Sequence, residues 1–291
     1  PSTGAETGAQ VIRQVYPRLG IVPGLILAPG WSQIPEVGLA LAAKAAKING
    51  VYSAMALLDL DTAKAKKYTD TKSVKEESGY TSPFCYPLWP CDRVGEYILA
   101  KSAVAGAMIQ YMASDNEDVP NQSPSNHLLG VGGQCLEDGT EVYLDQDQAN
   151  TVNGYGVTTA INQNGYRLWG NYTGAYPASS DAKDIWFAVR RMFSWQGNNF
   201  IQTYFDEVDD PMNNVLVQSV VDSENIRCSA YAPKYWAGAS IEYKSDDNPK
   251  TAILAGTMKF RQHIAPYTPA QEIVDIIDYD TDTLAAAVGG N

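Results

Sequence analysis

The side chains that most often carry enzymatic chemistry are scarce in this sequence. It contains two histidines, His127 in a loop rich in Pro, Asn and Ser, and His263 on the polar side of a predicted strand. A Ser–His–Asp triad requires a histidine beside a nucleophilic serine, and neither histidine adjoins a G-x-S-x-G or G-T-S-M-A sequence. We therefore expect no catalytic residues and no enzymatic activity. Carboxylate pairs of the glycosidase kind stay open, because the chain has 33 Asp and Glu residues.

Metal and cofactor sites find little support. Two groups of aspartates are spaced as at the start of a calcium loop: Asp145 and Asp147, and Asp278, Asp280 and Asp282. Both groups lack the glycine and the glutamate that such a loop places at its sixth and twelfth positions, so a helix start and an acidic turn are the preferred interpretations. Cys85 and Cys91 have no partners at zinc spacing, and GVGGQ lacks the lysine of a phosphate-binding loop. We expect no metal and no cofactor.

The charge and the hydrophobic pattern exclude two classes of partner. The net charge is −12, from 33 acidic and 21 basic residues. Nucleic-acid binding needs clustered Lys and Arg, which do not occur here. A membrane-spanning helix needs about 18 or more consecutive apolar residues, and residues 97–113, which come nearest, are interrupted by Lys101 and Gln110. We expect neither nucleic-acid binding nor membrane insertion.

The cysteines and the first residues bear on where the chain is made. Its four cysteines show no disulfide framework, and no cleavable signal peptide precedes them. Synthesis in a reducing compartment is therefore expected. The sequence starts at Pro1 in a lead rich in Gly, Thr and Ser. We interpret it as a piece cut from a longer protein, one that is monomeric or weakly associated by itself.

The elements that would position any site are clearest between residues 20 and 61. Residues 25–28 form a short apolar run closed by Pro29 and Gly30, which is typical of a buried strand. A helix starting at Pro35 carries an apolar stripe formed by Val37, Leu41, Ala45 and Ile48. Residues 52–60 are a second apolar strand. The pattern predicts a right-handed β-α-β unit with parallel strands.

The rest of the chain continues as alternating helices and strands. We predict a helix over residues 94–113 with a thin face of Ala and Gly, a short helix over 145–155, and a hairpin of 157–161 with 166–169 around Asn164-Gly165. A long helix should start at a cap in Ser179-Ser180-Asp181 and reach about residue 205. A helix over 213–230 and strands over 240–244 and 257–264 follow. With 291 residues the chain is long enough for two domains of about 100–150 residues each.

Several segments resemble those of contractile phage tail sheath proteins, in the same order. They are VPGLILAPGWSQIPEVGLAL from Val22, GYRLWGNYT from Gly165, FAVRRM from Phe187 and APYTPAQEI from Ala265. Tyr172 stands where the family more often has Arg. The chain is therefore identified as similar to a phage or prophage tail sheath subunit.

The resemblance implies a fold and a function. The fold is a central α/β domain over residues 1–170, a largely parallel sheet flanked by helices and subtilisin-like without a triad, followed by a smaller α+β domain over residues 171–291. The function is that of a structural subunit, made in the bacterial host cytoplasm and located in the virion tail. Such subunits form stacked hexameric rings around an inner tail tube, meet the baseplate and tail terminator, and contract to drive the tube through a cell envelope. A hydrolase on the same scaffold and a non-contractile virion binding or adhesion module remain alternatives.

The resemblance also suggests where copies of the chain meet. Sheath subunits add strands from terminal arms to a neighbour's sheet. Our candidate for that inter-subunit strand follows Pro269 and consists of Ile273, Val274, Asp275, Ile276, Ile277, Asp278 and Tyr279. Its apolar residues face both ways, as in a strand enclosed by partner protein. A buried edge strand of the same chain would look similar.

A second candidate surface is a cluster of acids near the end of the long helix. Its members are Asp206, Glu207, Asp209 and Asp210. Because the family places its C-terminal domain inward, these carboxylates could face a basic ring on the tube. A solvated helix end is the alternative.

Overall fold

The computed structural model describes residues 6–289, so the outermost residues of both predicted domains, 1–5 and 290–291, lie outside the described part. The α-helices are α1 (Val15–Leu19), α2 (Pro35–Ala46), α3 (Thr71–Ser78), α4 (Lys101–Ser114), α5 (Gln146–Gly154), α6 (Ala182–Ile185), α7 (Phe187–Thr203), α8 (Asn214–Ala230), α9 (Lys250–Leu254) and α10 (Thr281–Ala287). The strands are β1 (Leu25–Leu27), β2 (Met55–Asp59), β3 (Cys85–Leu88), β4 (Cys91–Val94), β5 (Tyr97–Leu99), β6 (Gly133–Cys135), β7 (Thr159–Asn162), β8 (Tyr166–Trp169), β9 (Trp236–Glu242) and β10 (Arg261–Pro266). Short 3-10 helices span Gly8–Gln14, Tyr68–Asp70, Phe205–Glu207 and Ser245–Asp247.

The predicted β-α-β unit is confirmed. Strands β1, β2 and β3 form a parallel sheet in that order, with Leu25 opposite Met55 and Ala56 opposite Cys85. The apolar stripe of α2 packs on one face of this sheet, and Leu41, Ala45 and the following Ile48 are buried there. The outer side of β3 continues through a parallel bridge between Leu88 and Thr158. The opposite edge of the sheet, β1, has no neighbouring strand among the described residues.

Helix α4 covers the other face, and its small residues explain its position. Ala105 and Ile109 are buried against Leu57 and other residues of the sheet. A Cβ atom added at Gly106 would lie 3.6 Å from side-chain atoms of Leu27 and 3.7 Å from Leu57, which is ordinary contact. The expected close approach of a thin helix face to the sheet is therefore present.

The start of α4 was predicted wrongly. Residues 94–99 do not belong to the helix, because β4 and β5 form an antiparallel hairpin that turns at Gly95, whose φ is +60°. Strand β4 also pairs with β6 on its other side, with Cys91 opposite Cys135. The predicted hairpin of β7 and β8 is confirmed, and its turn residues Asn164 and Gly165 both have positive φ.

The last third of the chain builds a separate apolar cluster. Helices α7 and α8 and the antiparallel pair β9–β10 contribute to it, with Met192, Cys228 and Trp236 at its centre. Strand β10 alternates between half-buried and exposed side chains, as expected. The predicted long helix is broken at Trp186, whose extended backbone (φ −88°, ψ 122°) separates α6 from α7.

Candidate assembly surface

The terminal segment, defined as residues 273–279, lies between β10 and α10 and belongs to no helix or strand of its own chain. Its side chains are exposed, with 89% of Ile273, 80% of Ile276 and 87% of Ile277 accessible to solvent. The main chain of these seven residues makes no hydrogen bond to any described residue. The alternative of a buried edge strand within the same chain therefore does not apply to the described structure.

A distant part of the chain anchors the stretch before the terminal segment, and a short helix follows the segment. Before it, the hydroxyl of Tyr267 donates a hydrogen bond to the carbonyl of Pro233 at 3.0 Å. After it, the carboxylate of Asp280 accepts from the main-chain N–H groups of Asp282 and Thr283 at 3.1 and 2.9 Å, and so caps α10. The terminal segment is thus anchored on the side of β10 and leads into the exposed helix α10.

The sheet closest in sequence to this segment has one blocked and one open edge. In an antiparallel pair, residues alternate between those that bond to the partner strand and those that face outward. Ile241 of β9 faces outward, because its N–H donates to Oδ1 of Asn225 at 3.0 Å and its carbonyl accepts from Nδ2 at 3.1 Å. The side chain of Asn225 therefore occupies the β9 edge at this point.

The open edge belongs to β10. Gln262 lies directly opposite Ile241, so its main-chain groups also point away from the pair, on the β10 side, and those of Ile264 do the same. These outward groups have no main-chain partner among residues 6–289. The β10 edge can accept another strand.

A buried polar cluster holds the sheet to the helices. The carboxylate of Glu224 on α8 is fully buried and accepts from Gln196 Nε2 at 2.6 Å and from Gln262 Nε2 at 3.0 Å. The Nε of Arg227 donates to the same carboxylate at 2.9 Å. Hydrogen bonds to a charged group are stronger than neutral ones, so the cluster fixes β10 in position.

The predicted acidic run follows α7. Asp206, Glu207, Asp209 and Asp210 are all exposed, and none forms an ion pair with a described residue. Phe205 directly precedes the run and Val208 lies within it, and they are 63% and 64% exposed. The surface therefore combines carboxylates with two apolar side chains.

The first aspartate group starts a helix, as interpreted from the sequence, whereas the second, interpreted as an acidic turn, also starts one. Asp145 caps α5, where its carboxylate accepts from the N–H of Gln148 at 2.8 Å, and Asp280 caps α10. Hydrogen bonds from the side chain and the main chain of Thr283 lower the pKa of Asp280. Among residues 6–289, no three His, Cys, Asp or Glu side chains are grouped so that they could hold a metal ion.

The two histidines lie in different parts of the chain, His127 in a loop and His263 in β10. His127 is exposed, and its pKa is lowered by desolvation and by the nearby charge of Arg167. His263 lies on the exposed face of β10, with Nε2 2.9 Å from a carboxylate oxygen of Glu242. Neither contacts a serine hydroxyl through a hydrogen bond in the described structure.

Sequence reasoning missed a buried polar cluster at the carboxyl end of β2. The carboxylate of Asp59 accepts from the hydroxyl of Ser32 at 2.9 Å and from both the N–H and the hydroxyl of Ser102. Burial raises the pKa of Asp59, although these hydrogen bonds act in the opposite direction. Carboxyl ends of parallel strands are a frequent location for functional groups, and that rule could have drawn attention to Asp59.

A buried ion pair lies beside this cluster. Lys101 and Asp92 are both inaccessible to solvent, and the ammonium donates a hydrogen bond to the carboxylate. Lys101 begins α4 directly before Ser102, and Asp92 lies in β4. The pair therefore connects the β4–β5 hairpin to the first turn of α4, and breaking it would leave one buried charge unpaired.

The comparisons with known proteins agree on one family. No protein family model matches the chain. The major tail sheath protein of Serratia phage KSP20 is 27% identical over 197 residues, 65% of this chain and 48% of that protein. A prophage major tail sheath protein of Pseudomonas aeruginosa strain UCBPP-PA14 is 30% identical over 199 residues, 66% of this chain and 47% of that protein. The tail sheath protein of Escherichia phage P2 is 23% identical over 281 residues, 93% and 66%.

The chain is similar to phage and prophage tail sheath proteins. It spans about half the length of the Serratia and Pseudomonas relatives. The resemblance inferred from the sequence motifs is thereby confirmed.

The fold of the chain matches that of solved sheath structures. The sheath complex of an extracellular contractile injection system, PVC, in its contracted state superimposes with a TM-score of 0.73 at 17% identity, covering 94% of this chain and 75% of that one. The helical sheath of the anti-feeding prophage in its contracted state gives 0.70 at 18%, covering 96% and 76%. At these identities the likeness shows the fold alone, and it confirms the mixed α/β class. No helix within residues 6–289 is long and apolar enough to cross a membrane.

Proposed function

We propose that the chain is the core of a structural subunit of a contractile tail sheath. Copies assemble as stacked hexameric rings around an inner tail tube, and they shorten together to drive the tube through a cell envelope. The assembly contacts the baseplate at one end and the tail terminator at the other. The observation that carries the proposal is an apolar, unpaired terminal segment in a chain that also has an open strand edge.

The terminal segment acts as a strand donated to a neighbouring copy. Burying one exposed isoleucine stabilises a contact by roughly 1.5–3 kcal/mol, and each backbone hydrogen bond adds about 0.5–1.5 kcal/mol. One such strand is a weak link, but its repetition around a ring makes the assembly strong. A flexible connection of this kind lets subunits swing without separating.

The β10 edge is the acceptor for that strand. The β9–β10 pair packs on α8 but leaves the outer edge of β10 unpaired, so a third strand would extend the sheet there. The outward main-chain groups of Gln262 and Ile264 offer its hydrogen bonds, while Asn225 covers the other side of the pair. Each copy then gives its terminal segment to one neighbour and receives one from another, as head-to-tail assembly requires.

The finer fold assignments belong to the same proposal. Residues 1–170 form a central subtilisin-like α/β domain, and residues 171–291 form the smaller α+β domain with the assembly arm. The parallel β1–β2–β3 sheet with helices on both faces supports the first, and the α7, α8 and β9–β10 cluster supports the second. The subunit is made in the host cytoplasm and functions in the virion tail.

The acidic run gives the tube-facing contact. Asp206, Glu207, Asp209 and Asp210 meet basic side chains of the inner tube, and the exposed Phe205 and Val208 add apolar area. Reversing the four charges to Lys in the intact protein should weaken binding to the tube. Unchanged tube binding after that reversal would leave the run as a solvated helix end.

A hydrolase is the second candidate, favoured by one observation. Asp59, Ser32 and Ser102 are joined by hydrogen bonds at the carboxyl end of the parallel sheet. A nucleophilic serine needs a base, and no imidazole bonds to either hydroxyl in the described structure. Treatment with a fluorophosphonate probe separates the two functions, since a sheath subunit stays unlabelled and a serine hydrolase is labelled at Ser32 or Ser102.

Electron microscopy of the intact protein tests the main proposal. We expect striated cylinders with six subunits per ring. Isolated particles or simple fibres, without rings stacked around a central channel, would instead support a binding or adhesion module of the virion.

A further inference from the structure

A cleft of about 650 Å³ lies between the free edge of β1, helix α4 and helix α7. Its lining includes two residues of β1 and several polar residues: Leu25, Leu27, Gln110, Asp118, Arg191 and Ser194. No residue of the terminal segment or of β10 lines the cleft, and the proposed function does not use it.

Arg191 is the unusual residue of this cleft. Only 9% of it is exposed, yet its guanidinium makes no hydrogen bond and no ion pair with any residue in the range 6–289. Its neighbour Arg190 differs, because it contacts a carboxylate oxygen of Asp184 at 3.2 Å. Burial lowers the pKa of Arg191 to about 10, and no nearby carboxylate offsets this. The guanidinium lies over the ring of Phe187, 5.5 Å from its centroid, so its contact is a cation–π one without an anion. A buried cation without an anionic partner is costly, so a site of this kind favours an incoming anion.

A second unpartnered group lies one helical turn away. Ser194 also lines the cleft, and its buried hydroxyl has no hydrogen-bond partner among the described residues. Residues three apart on a helix share a face, so Arg191 and Ser194 are neighbours on α7. Asn198, on the same face, is already occupied by the N–H and the carbonyl of Ser53 at 2.9 and 2.7 Å.

The wall opposite these groups is an unpaired strand. In a parallel pair, the N–H and carbonyl of one residue point to one side and those of the next residue to the other. The carbonyl of Gly24 accepts from Met55, so the groups of Leu25 and Leu27 point away from β2. They have no main-chain partner in the described structure. An extended peptide in the cleft could pair with them.

We propose that the cleft receives an extended acidic segment of a second copy of this chain, which pairs with the outer edge of β1 and places one carboxylate against Arg191 and Ser194. This rests on the proposed function only in that copies contact one another. The chain carries 33 acidic against 21 basic residues, so a second copy presents carboxylates in excess. A carboxylate is also the group whose two oxygens match the paired N–H donors of a guanidinium.

Arg191→Met and Asp118→Asn test this in two settings. In the isolated chain, Arg191→Met should melt at the same or a higher temperature than wild type, because it removes an unpaired buried cation. Added acetate should raise the melting temperature of the wild-type chain more than chloride at equal ionic strength, and this difference should vanish in Arg191→Met. Asp118→Asn should keep the acetate effect at its wild-type size or enlarge it, because this change removes a negative charge from the cleft and leaves Arg191 in place.

In the intact protein, Arg191→Met should raise the protein concentration needed for ordered assembly by about tenfold or more, because a charge-assisted contact is lost. Arg191→Lys should recover part of that loss. The inference is overturned if Arg191→Met assembles at wild-type concentrations, if it destabilises the isolated chain, or if the acetate effect persists in it or disappears in Asp118→Asn. Normal assembly of Arg191→Met together with failed assembly after loss of the terminal segment would overturn this inference and leave the proposed function standing.

Discussion

Replacing Ile277 by Asp tests whether this side chain stabilises the single chain or the contact between copies of it. Ile277 is 87% exposed in the single chain, so Ile277→Asp should change the free energy of unfolding of that chain by no more than about 0.5 kcal/mol. If the terminal segment is enclosed by neighbouring protein, the same change removes roughly 1.5–3 kcal/mol of apolar burial per contact and buries a carboxylate in addition. That corresponds to a rise of roughly 10- to 100-fold in the concentration needed for assembly.

Two measurements are needed for Ile277→Asp. Thermal melting of the isolated chain gives the first effect, and sedimentation of the intact protein over a concentration series gives the second. Ile226→Asp is the matched control, because Ile226 is 73% exposed and lies on α8, outside the terminal segment. The reasoning is refuted if Ile277→Asp lowers the melting temperature strongly, or if it assembles at the same concentration as wild type and Ile226→Asp.

Three further predictions follow from other parts of the chain. Leu41→Asp should unfold the region around the parallel sheet, because Leu41 is 5% exposed and truncation of a buried Leu alone typically costs about 2–5 kcal/mol. Loss of helical circular dichroism would show this unfolding, and a folded, only mildly destabilised variant would contradict the prediction. Because burial raises the pKa of Asp59 above 3.8, its protonated form favours the folded state, so its contribution to stability should be present at low pH and decline as pH rises through 3.8 toward the folded-state pKa. Urea unfolding of wild type and Asp59→Asn across that range should show a pH-dependent difference, and a constant difference would refute the assignment. The isolated chain should sediment as a monomer or a weakly associated species at micromolar concentration, and stable hexamers or tubes would overturn this.

The β-α-β unit could be predicted because its causes are local. Pro29, Gly30 and Pro35 separate the elements, and Leu41, Ala45 and Ile48 recur at helical spacing on one face. The same holds for the hairpin at Asn164 and Gly165, where two residues with positive φ make the turn.

The elements that were predicted wrongly depend on contacts between distant segments. Residues 94–99 are mostly apolar and run directly into an Ala-rich helix, so local periodicity favours one continuous helix. Pairing of β4 with β6 instead makes this stretch part of a hairpin. The break at Trp186 has a similar cause. Tyr172 forms a bridge with Trp186, and their rings stack with centroids 4.8 Å apart.

The candidate sites divide in the same way. The terminal segment could be selected from its apolar sequence behind two prolines, although its full exposure became visible only in the structure. Arg191 could not be selected, because one arginine beside another in FAVRRM gives no sign that only the first finds a carboxylate. The cluster of Asp59, Ser32 and Ser102 could not be selected either, because Ser32 and Ser102 are 70 positions apart in the sequence.

The most direct test of the central claim is electron microscopy of the intact protein after removal of residues 270–291. These residues include the terminal segment and α10, and every described one of them from 273 to 289 is exposed, so the rest of the chain should keep its fold. If movement passes between copies through a shared strand, the shortened protein should remain folded but form no striated cylinders. Cylinders that still assemble and contract as in the wild type would contradict the account.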